Sequence, residues 1–184
     1  MYDVTQISKK LSYVLRHNPD SIGIKLDPQG WTDVYDLIQK MNISLAQLQL
    51  VVSNNNKKRF TFSPDGTKIR AAQGHSLKNV DLGYQPVPVD KVPLLLYHGT
   101  PLNFANKILS SIGIQKMNRT HVHLSGDVQT AKKVAERRTD EGIPVILVIN
   151  SAKMAEEGIK FFLADNGVWL TEFVDGKYII EVRA

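Results

Sequence analysis

The first half of the sequence holds three groups of side chains that can bind a phosphate or move a proton. They are Arg16 with His17, then Lys57, Lys58 and Arg59, and lastly Arg70, Gln73 and His75. A guanidinium presents a planar set of N–H donors that matches phosphate oxygens, and an imidazole can donate a proton near neutral pH. Each group alone is typical of a solvated surface. Together they predict that this half of the chain recognises phosphate.

A polar triplet in the second half follows an apolar run. His98, Gly99 and Thr100 come directly after residues 94–97, and the end of a buried strand is a frequent ligand site because backbone groups leave the sheet there. The alternative is structural, with Gly99 in a turn and His98 as a hydrogen-bonded core residue. The triplet taken alone favours this alternative.

A second polar group in this half alternates with apolar residues. His121, His123 and Ser125 therefore share one face of a predicted strand. Two histidines at this spacing could bind a metal. The neighbouring sequence offers no third ligand at a usual spacing, since Asp127 is better explained as a helix cap. A polar strand face that lines a cleft is the preferred interpretation.

Composition and charge narrow the class of protein. Of 184 residues, 42% are hydrophobic and 22% charged, which excludes a disordered chain, and the lack of cysteine excludes disulfides, a thiol nucleophile and a cysteine-ligated zinc site. Residues 1–80 contain 11 Lys or Arg and 6 Asp or Glu, whereas residues 81–184 contain 12 of each. The net charge of +5 therefore comes from the first half, where it would attract a phosphate-rich partner. Chance clustering explains the count equally well.

The elements that must position these residues follow from periodicity and turn signals in residues 1–80. They are a helix over 4–16, a helix that begins at 31–33 with Thr32 as its N-cap, a helix capped by Ser44, and a hairpin of 59–62 and 68–71 around the turn 63–66. The first helix should end near Pro19, because the residue before a proline avoids the α region. Three helices followed by a hairpin match the outline of a winged-helix domain.

Residues 81–93 contain three prolines without periodicity, which predicts a linker. The remaining residues, 94–184, contain both predicted strands and predicted helices. The predicted strands are 94–98, 122–124, 144–150, 167–171 and 178–182, and the predicted helices are 102–110 and 127–138. The fold class is therefore α+β. Apolar runs are too short to span a bilayer and the N-terminus lacks the apolar core of a signal peptide, so we expect a cytoplasmic protein.

Seven sequence motifs in both halves carry a resemblance to a known family. They are KKLSYVLRHNP, GWTDVYDLI, NNNKKRF, IRAAQGHS, LYHGT, RTHVHLS and NGVWLT, in this order. With these motifs the chain resembles the RNA 2′-phosphotransferases, the KptA family. The resemblance implies an N-terminal winged-helix lobe over residues 1–80 that binds RNA, and a C-terminal ADP-ribosyltransferase-like lobe over residues 94–184 that binds NAD⁺.

The resemblance also implies the reaction. Such an enzyme removes an internal 2′-phosphate from RNA, of the kind left at a tRNA splice junction, and transfers it to NAD⁺, which is consumed. The products are RNA with a 2′-hydroxyl, ADP-ribose 1″,2″-cyclic phosphate and nicotinamide, and RNA-2′-phospho-ADP-ribose is the intermediate. No metal is required, and we expect a monomer.

Site residues are carried over from the matching motifs. The implied catalytic residues are Arg16, His17, Arg59 and Arg119. The implied NAD⁺-binding residues are His98, Gly99, Thr100, His123, Leu124, Ser125 and Val168. The expected RNA-binding residues are Lys57, Arg70, Gln73 and His75.

Two other functions remain open from the sequence. A mono-ADP-ribosyltransferase that modifies nucleic-acid phosphate ends or a protein would share the second lobe and would leave a stable ADP-ribosylated product. A non-enzymatic winged-helix protein that binds nucleic acid and senses NAD⁺ would release no nicotinamide with any phosphorylated RNA.

Overall fold

The computed structural model describes residues 3–55 and 58–184, and its mixture of helices and antiparallel strands confirms the α+β class. The chain divides into two compact units, Met1–Tyr84 and Gln85–Ala184. The division falls inside the segment 81–93, for which the sequence predicts a linker. Two residues of that segment are nevertheless held by backbone hydrogen bonds, because the Asp81 N–H donates to the Pro28 carbonyl and the Val87 N–H donates to the Phe161 carbonyl.

Within residues 3–55 and 58–84, the first unit contains three α-helices and one small antiparallel sheet. The elements are α1 (Val4–Arg16), α2 (Val34–Met41), α3 (Leu45–Ser53), β1 (Thr32–Asp33), β2 (Phe60–Phe62) and β3 (Lys68–Ala71). The strand order is β1-β3-β2, with both pairs antiparallel. The predicted hairpin and its turn are therefore confirmed.

Helix α1 forms as the sequence predicts and brings its last residues to a defined end. Its apolar stripe, Ile7, Leu11, Val14 and Leu15, is buried in the core of the first unit. Beyond the helix, Pro19–Ile22 forms a short 3₁₀ turn, and the Asn18 side chain accepts a hydrogen bond from the Ser21 N–H. Arg16 and His17 are thereby held at the point where the helix stops.

The predicted start of the second helix is wrong by one residue. Strand β1 continues through Asp33 and the helix begins at Val34, so Thr32 stands one residue too early to be the N-cap. Asp33 takes that role, and its carboxylate accepts a hydrogen bond from the Asp36 N–H at 2.8 Å. The cap at Ser44 is confirmed, and with Gln47 it forms a reciprocal capping box.

The second unit contains three helices and three small sheets. The helices are α4 (Leu102–Leu109), α5 (Val128–Ala135) and α6 (Ser151–Glu156). The strands are β4 (Leu96–Pro101), β5 (Gly113–Gln115), β6 (Val122–Leu124), β7 (Pro144–Ile149), β8 (Phe162–Leu163), β9 (Trp169–Thr171), β10 (Phe173–Asp175) and β11 (Ile179–Arg183). The sheets have the orders β11-β7-β4, β6-β9-β8 and β10-β5.

Helix α5 is shorter than the sequence predicts. Asp127 caps it, accepting a hydrogen bond from the Thr130 N–H at 2.7 Å, as expected. The α-helix ends at Ala135 and continues as a 3₁₀ segment over Glu136–Glu141, in which Arg138 departs from helical dihedral angles. No helix within residues 3–55 and 58–184 is long and apolar enough to cross a bilayer.

A glycine allows α5 to lie directly on β4. A Cβ atom at Gly99 would meet the Ala131 carbonyl oxygen at 1.9 Å, a distance that no side chain tolerates. Gly99 is therefore required by helix packing on one face of β4. Because side chains alternate along a strand, His98 and Thr100 point to the opposite face.

We expect Gly99→Ala to lower the free energy of unfolding of the second unit by about 1–3 kcal/mol, because the added methyl group overpacks the contact with α5. Urea unfolding followed by Trp169 fluorescence in a Trp31→Phe background would measure the change. Gly176→Ala is the matched control, since a Cβ there meets only the Ile112 carbonyl oxygen at 3.9 Å. Equal stability of the two variants would contradict the packing argument.

Candidate active site

Three of the predicted catalytic side chains, Arg16, His17 and Arg59, line one groove in the first unit, with a volume of about 670 Å³. The groove is bounded by α1, the C-terminal end of α3 and the segment before β2. Its other lining residues are Val4, Thr5, Ser8, Lys9, Ser12, Tyr13, Val51, Asn54 and Asn55. None of these described lining residues is Asp or Glu. Lys57, predicted to bind RNA, lies outside the described residues.

The segment after β3 is attached to the end of α1 by two contacts of Ser76. Its backbone N–H donates to the Arg16 carbonyl at 3.0 Å, and its hydroxyl lies 3.0 Å from Nδ1 of His17. The first contact gives a hydrogen-bond donor to a carbonyl group in the last helical turn, and such a carbonyl has no partner within the helix. The second restricts the rotation of the His17 ring. Ser76 has no predicted role, although it stands beside His75 in the motif IRAAQGHS.

Arg70 is buried, in contrast to the expectation that it contacts RNA. Its guanidinium carbon lies 4.5 Å from the centre of the Trp31 ring and 5.5 Å from that of Tyr84. Its Nη1 donates to the Leu82 carbonyl at 3.1 Å. Arg70 therefore fastens residues 82–84 to the sheet of the first unit, and cation–π contacts compensate part of the cost of its burial.

His75 is also interior, with 1% of its surface exposed, and this differs from the expected RNA contact. Burial lowers its pKa to about 4, and the positive charges of Arg16, His17 and Arg70 act in the same direction. The ring is therefore neutral at neutral pH. Neither ring nitrogen has a hydrogen-bond partner among the described residues. Gln73, the fourth residue of this group, is half-buried.

In the second unit, three strands bring most of the predicted NAD⁺-binding positions together. Tyr97 of β4 and Ser125 after β6 exchange two backbone hydrogen bonds of 3.0 and 2.7 Å. Strand β6 in turn pairs with β9, with His123 opposite Leu170. Val168 comes directly before β9, outside the paired residues. His98, His123 and Ser125 are therefore neighbours on adjoining segments of β4 and β6.

A chain of hydrogen bonds fixes the protonation of the two histidines in this region. Nδ1 of His98 lies 3.1 Å from the His123 carbonyl, which can only accept, so Nδ1 carries the proton. Nη1 of Arg119 donates to Nδ1 of His123 at 3.0 Å, so that nitrogen is the acceptor. Burial lowers the pKa of His98, against the opposing effect of its carbonyl bond. His98 is therefore neutral and presents Nε2 as an acceptor.

Three other predicted NAD⁺-binding residues offer little or no exposed side chain. Leu124 is 2% exposed and belongs to the apolar core, and Thr100 is 6% exposed. The side of Gly99 that would bear a Cβ is covered by α5. Only backbone groups of Leu124 and Gly99 remain for ligand contacts. Within the described residues, no cluster of three or more His, Asp or Glu side chains is arranged to hold a metal ion.

The chain is similar to one known protein family and to several individual proteins over nearly its whole length. The profile of the family described as "RNA 2'-phosphotransferase, Tpt1 / KptA family" matches residues 2–173. A protein of Agrobacterium fabrum is 50% identical over 180 residues, covering 95% of this chain and 92% of the relative. A relative in Burkholderia pseudomallei is 50% identical over 183 residues, covering 95% of this chain and 94% of the relative. A relative in Flavobacterium johnsoniae is 49% identical over 179 residues, covering 94% of this chain and 93% of the relative. All three are named "Probable RNA 2'-phosphotransferase".

The buried His75 predicts a pH dependence of stability in the first unit. Its pKa is about 4 in the folded protein against 6.5 in the unfolded chain, so the unfolded state binds the additional proton between these values. Protonation of His75 in the unfolded state therefore does not lower the free energy of unfolding above pH 6.5. As the pH falls towards 4, it lowers that free energy by about 3 kcal/mol.

Unfolding by urea, followed by Trp31 fluorescence in a Trp169→Phe background, measures this dependence. His75→Leu should reduce the loss of stability between pH 7.5 and 4.5 relative to the parent. Carboxylates titrate equally in both proteins, so the difference between the two pH profiles isolates the imidazole. Parallel profiles would show that His75 does not titrate in this range on unfolding.

Proposed function

The chain belongs to the RNA 2′-phosphotransferase family and is a transferase that acts on RNA 2′-phosphate, and we propose that NAD⁺ is the acceptor of that phosphate. The reaction would convert an internal 2′-phosphate, of the kind left at a tRNA splice junction, into a 2′-hydroxyl. Nicotinamide and ADP-ribose 1″,2″-cyclic phosphate would be released. The observation that carries the proposal is the convergence of Arg16, His17 and Arg59 in one groove.

We further propose that the first unit is a winged-helix lobe and the second an ADP-ribosyltransferase-like lobe. The first assignment is supported by three helices and a three-stranded antiparallel sheet that includes the hairpin. The second is supported by two three-stranded sheets that approach each other at the Tyr97–Ser125 bridge. The bridge leaves strand faces with polar side chains, among them His98 and His123, available for a ligand.

The cationic groove would hold the phosphate during the transfer. In the first step an oxygen of the RNA 2′-phosphate bonds to C1″ of the nicotinamide ribose as the bond to nicotinamide breaks. In the second step the O2″ hydroxyl of that ribose loses its proton to solvent as O2″ bonds to phosphorus, and the bond to the RNA 2′-oxygen breaks. Negative charge grows on the phosphate oxygens in the second step, where Arg16 and Arg59 would stabilise it.

His17 would give a proton to the departing 2′-oxygen. General acid catalysis requires a donor whose ring is held in one orientation, and the Ser76 hydroxyl provides this constraint at 3.0 Å. Ser76 is therefore assigned as a positioning residue for His17. No carboxylate base is needed in the first step, because the phosphate is already an anion.

The second unit offers groups suited to NAD⁺. A neutral His98 with its proton on Nδ1 presents Nε2 to accept a hydrogen bond from a ribose hydroxyl. Ser125 lies on the neighbouring strand segment, and Arg119 is directed to this region by its bond to His123. The arginine charge would bind a pyrophosphate or the transferred phosphate.

The first test is incubation of the protein with NAD⁺ and a short RNA that carries one internal 2′-phosphate. We expect wild-type protein to give the three products, resolved by mass. His17→Ala and Arg59→Ala should slow the second step about 10²–10³-fold and accumulate RNA-2′-phospho-ADP-ribose, seen as a slower-migrating RNA.

Lys25→Ala, a change of an exposed lysine outside the groove, is the control and should retain the wild-type time course. A stable ADP-ribosylated product with wild-type protein would favour a mono-ADP-ribosyltransferase. Failure to release nicotinamide with any phosphorylated RNA would favour a binding protein. Slow turnover of both variants without an intermediate would refute the roles given to His17 and Arg59.

His98→Ala should raise KM for NAD⁺ about tenfold or more, because the variant lacks the Nε2 acceptor, and should leave the binding of 2′-phosphorylated RNA within twofold. Initial rates against NAD⁺ concentration and RNA anisotropy without NAD⁺ measure the two effects. His121→Ala is the matched control, since the His121 ring packs edge-on against Phe162. An unchanged KM in His98→Ala would mean that NAD⁺ binds elsewhere.

A further inference from the structure

The groove that contains Arg16, His17 and Arg59 is much larger than one phosphate group. Its volume of about 670 Å³ is in the range of sites that enclose drug-sized ligands. It also extends along α1 towards the N-terminus, since Thr5, Ser8, Lys9 and Ser12 line it. Lys9 is seven residues before Arg16, which corresponds to about 10 Å along a helix. A phosphate at Arg16 and Arg59 therefore leaves most of the groove unfilled.

The chemistry of the remaining groove is that of a surface for a nucleic-acid backbone. Lys9 adds a third cation to Arg16 and Arg59, and no described lining residue is acidic. Ser8, Ser12 and Thr5 present hydroxyls of the kind that donate to phosphate oxygens. Thr5 is exposed, and Ser8 and Ser12 are half-buried outside the buried apolar stripe of α1.

An exposed aromatic ring completes this part of the groove. Tyr13 is 49% exposed, and its hydroxyl accepts a hydrogen bond from the Asn18 side chain at 3.0 Å. The ring centroids of Tyr13 and His17 are 6.4 Å apart. An aromatic face held beside a phosphate site is a platform on which an unpaired base can stack, whatever its identity.

We propose that this part of the groove binds the single-stranded RNA next to the 2′-phosphorylated nucleotide, with a backbone phosphate at Lys9 and a base on Tyr13. The proposal rests on the proposed function and deepens it, because it makes RNA length a determinant of affinity. Binding of RNA phosphates by Lys9 and by hydroxyl groups, and stacking of a base on Tyr13, do not distinguish one base from another. RNA recognition in this part of the groove is therefore independent of nucleotide sequence.

The test compares a 2′-phosphorylated dinucleotide with two hexanucleotides, extended on the 5′ or on the 3′ side. With wild-type protein at saturating NAD⁺, we expect one of the hexanucleotides to have a KM about tenfold below that of the dinucleotide. Lys9→Ala should remove about fivefold of this gain and reduce the salt dependence of hexanucleotide binding by about one counterion.

Lys10→Ala is the matched control, because Lys10 is an exposed lysine of the same helix that lies beside Met41 and Ile43, outside the groove. This variant should keep the wild-type ratio of the two KM values. Tyr13→Leu should raise the hexanucleotide KM about tenfold, whereas Tyr13→Phe, which retains the ring, should restore most of the affinity.

Anisotropy of a labelled hexanucleotide without NAD⁺ tests the groove independently of turnover. Binding that depends on Lys9 but not on Lys10 supports the proposal even if no RNA is turned over, and in that case the proposed function alone fails. Turnover with equal KM for all three RNAs, or equal effects of Lys9→Ala and Lys10→Ala, overturns the proposal and leaves the proposed function intact.

Discussion

The two hydrogen bonds of Ser76 at the end of α1 connect the folding of the first unit to the geometry of its groove. A helix ends with carbonyl groups that have no internal partner, and the Ser76 N–H supplies one for Arg16. The same residue then reaches the His17 ring through its hydroxyl. Stability of the helix end and orientation of an ionisable side chain therefore depend on one residue, 60 positions later than Arg16 in the sequence.

The segment that carries Ser76 is held in turn by interior groups that are unusual for a core. Arg70 lies between two aromatic rings, and the neutral His75 is enclosed near Arg16, His17 and Arg70. Keeping the imidazole uncharged avoids adding another positive charge to an already cationic region. An anion in the groove would lower the electrostatic repulsion that remains, and a ligand that binds only the folded state stabilises it.

Local sequence signals predicted much of this architecture, because periodicity and capping depend on residues close in the chain. Helix α1, the hairpin and the caps at Ser44 and Asp127 are examples. The shift of the second cap from Thr32 to Asp33 could not be predicted, since both residue types cap helices and the strand pairing that extends β1 to Asp33 involves residues distant in sequence. The strands β5, β8 and β10 have only two or three residues, too few for a period to be recognised.

The site was predicted unevenly for a similar physical reason. Arginine and histidine types indicated phosphate chemistry, and Arg16, His17 and Arg59 do share a groove. The same residue types at Arg70 and His75 gave no sign of burial, because burial depends on residues elsewhere in the chain, such as Trp31 beside Arg70. The reaction itself was suggested by family resemblance and not by composition.

The direct contact between α5 and β4 at Gly99 also limits how this protein can diverge. A strand that lies against a helix backbone admits no side chain at that position, so substitutions there are removed by selection for folding. Variation that alters ligand preference must then occur at other positions, such as the half-buried His98 next to it or the residues of β6. The glycine thus fixes one position of the strand, while its neighbour is free of that packing constraint.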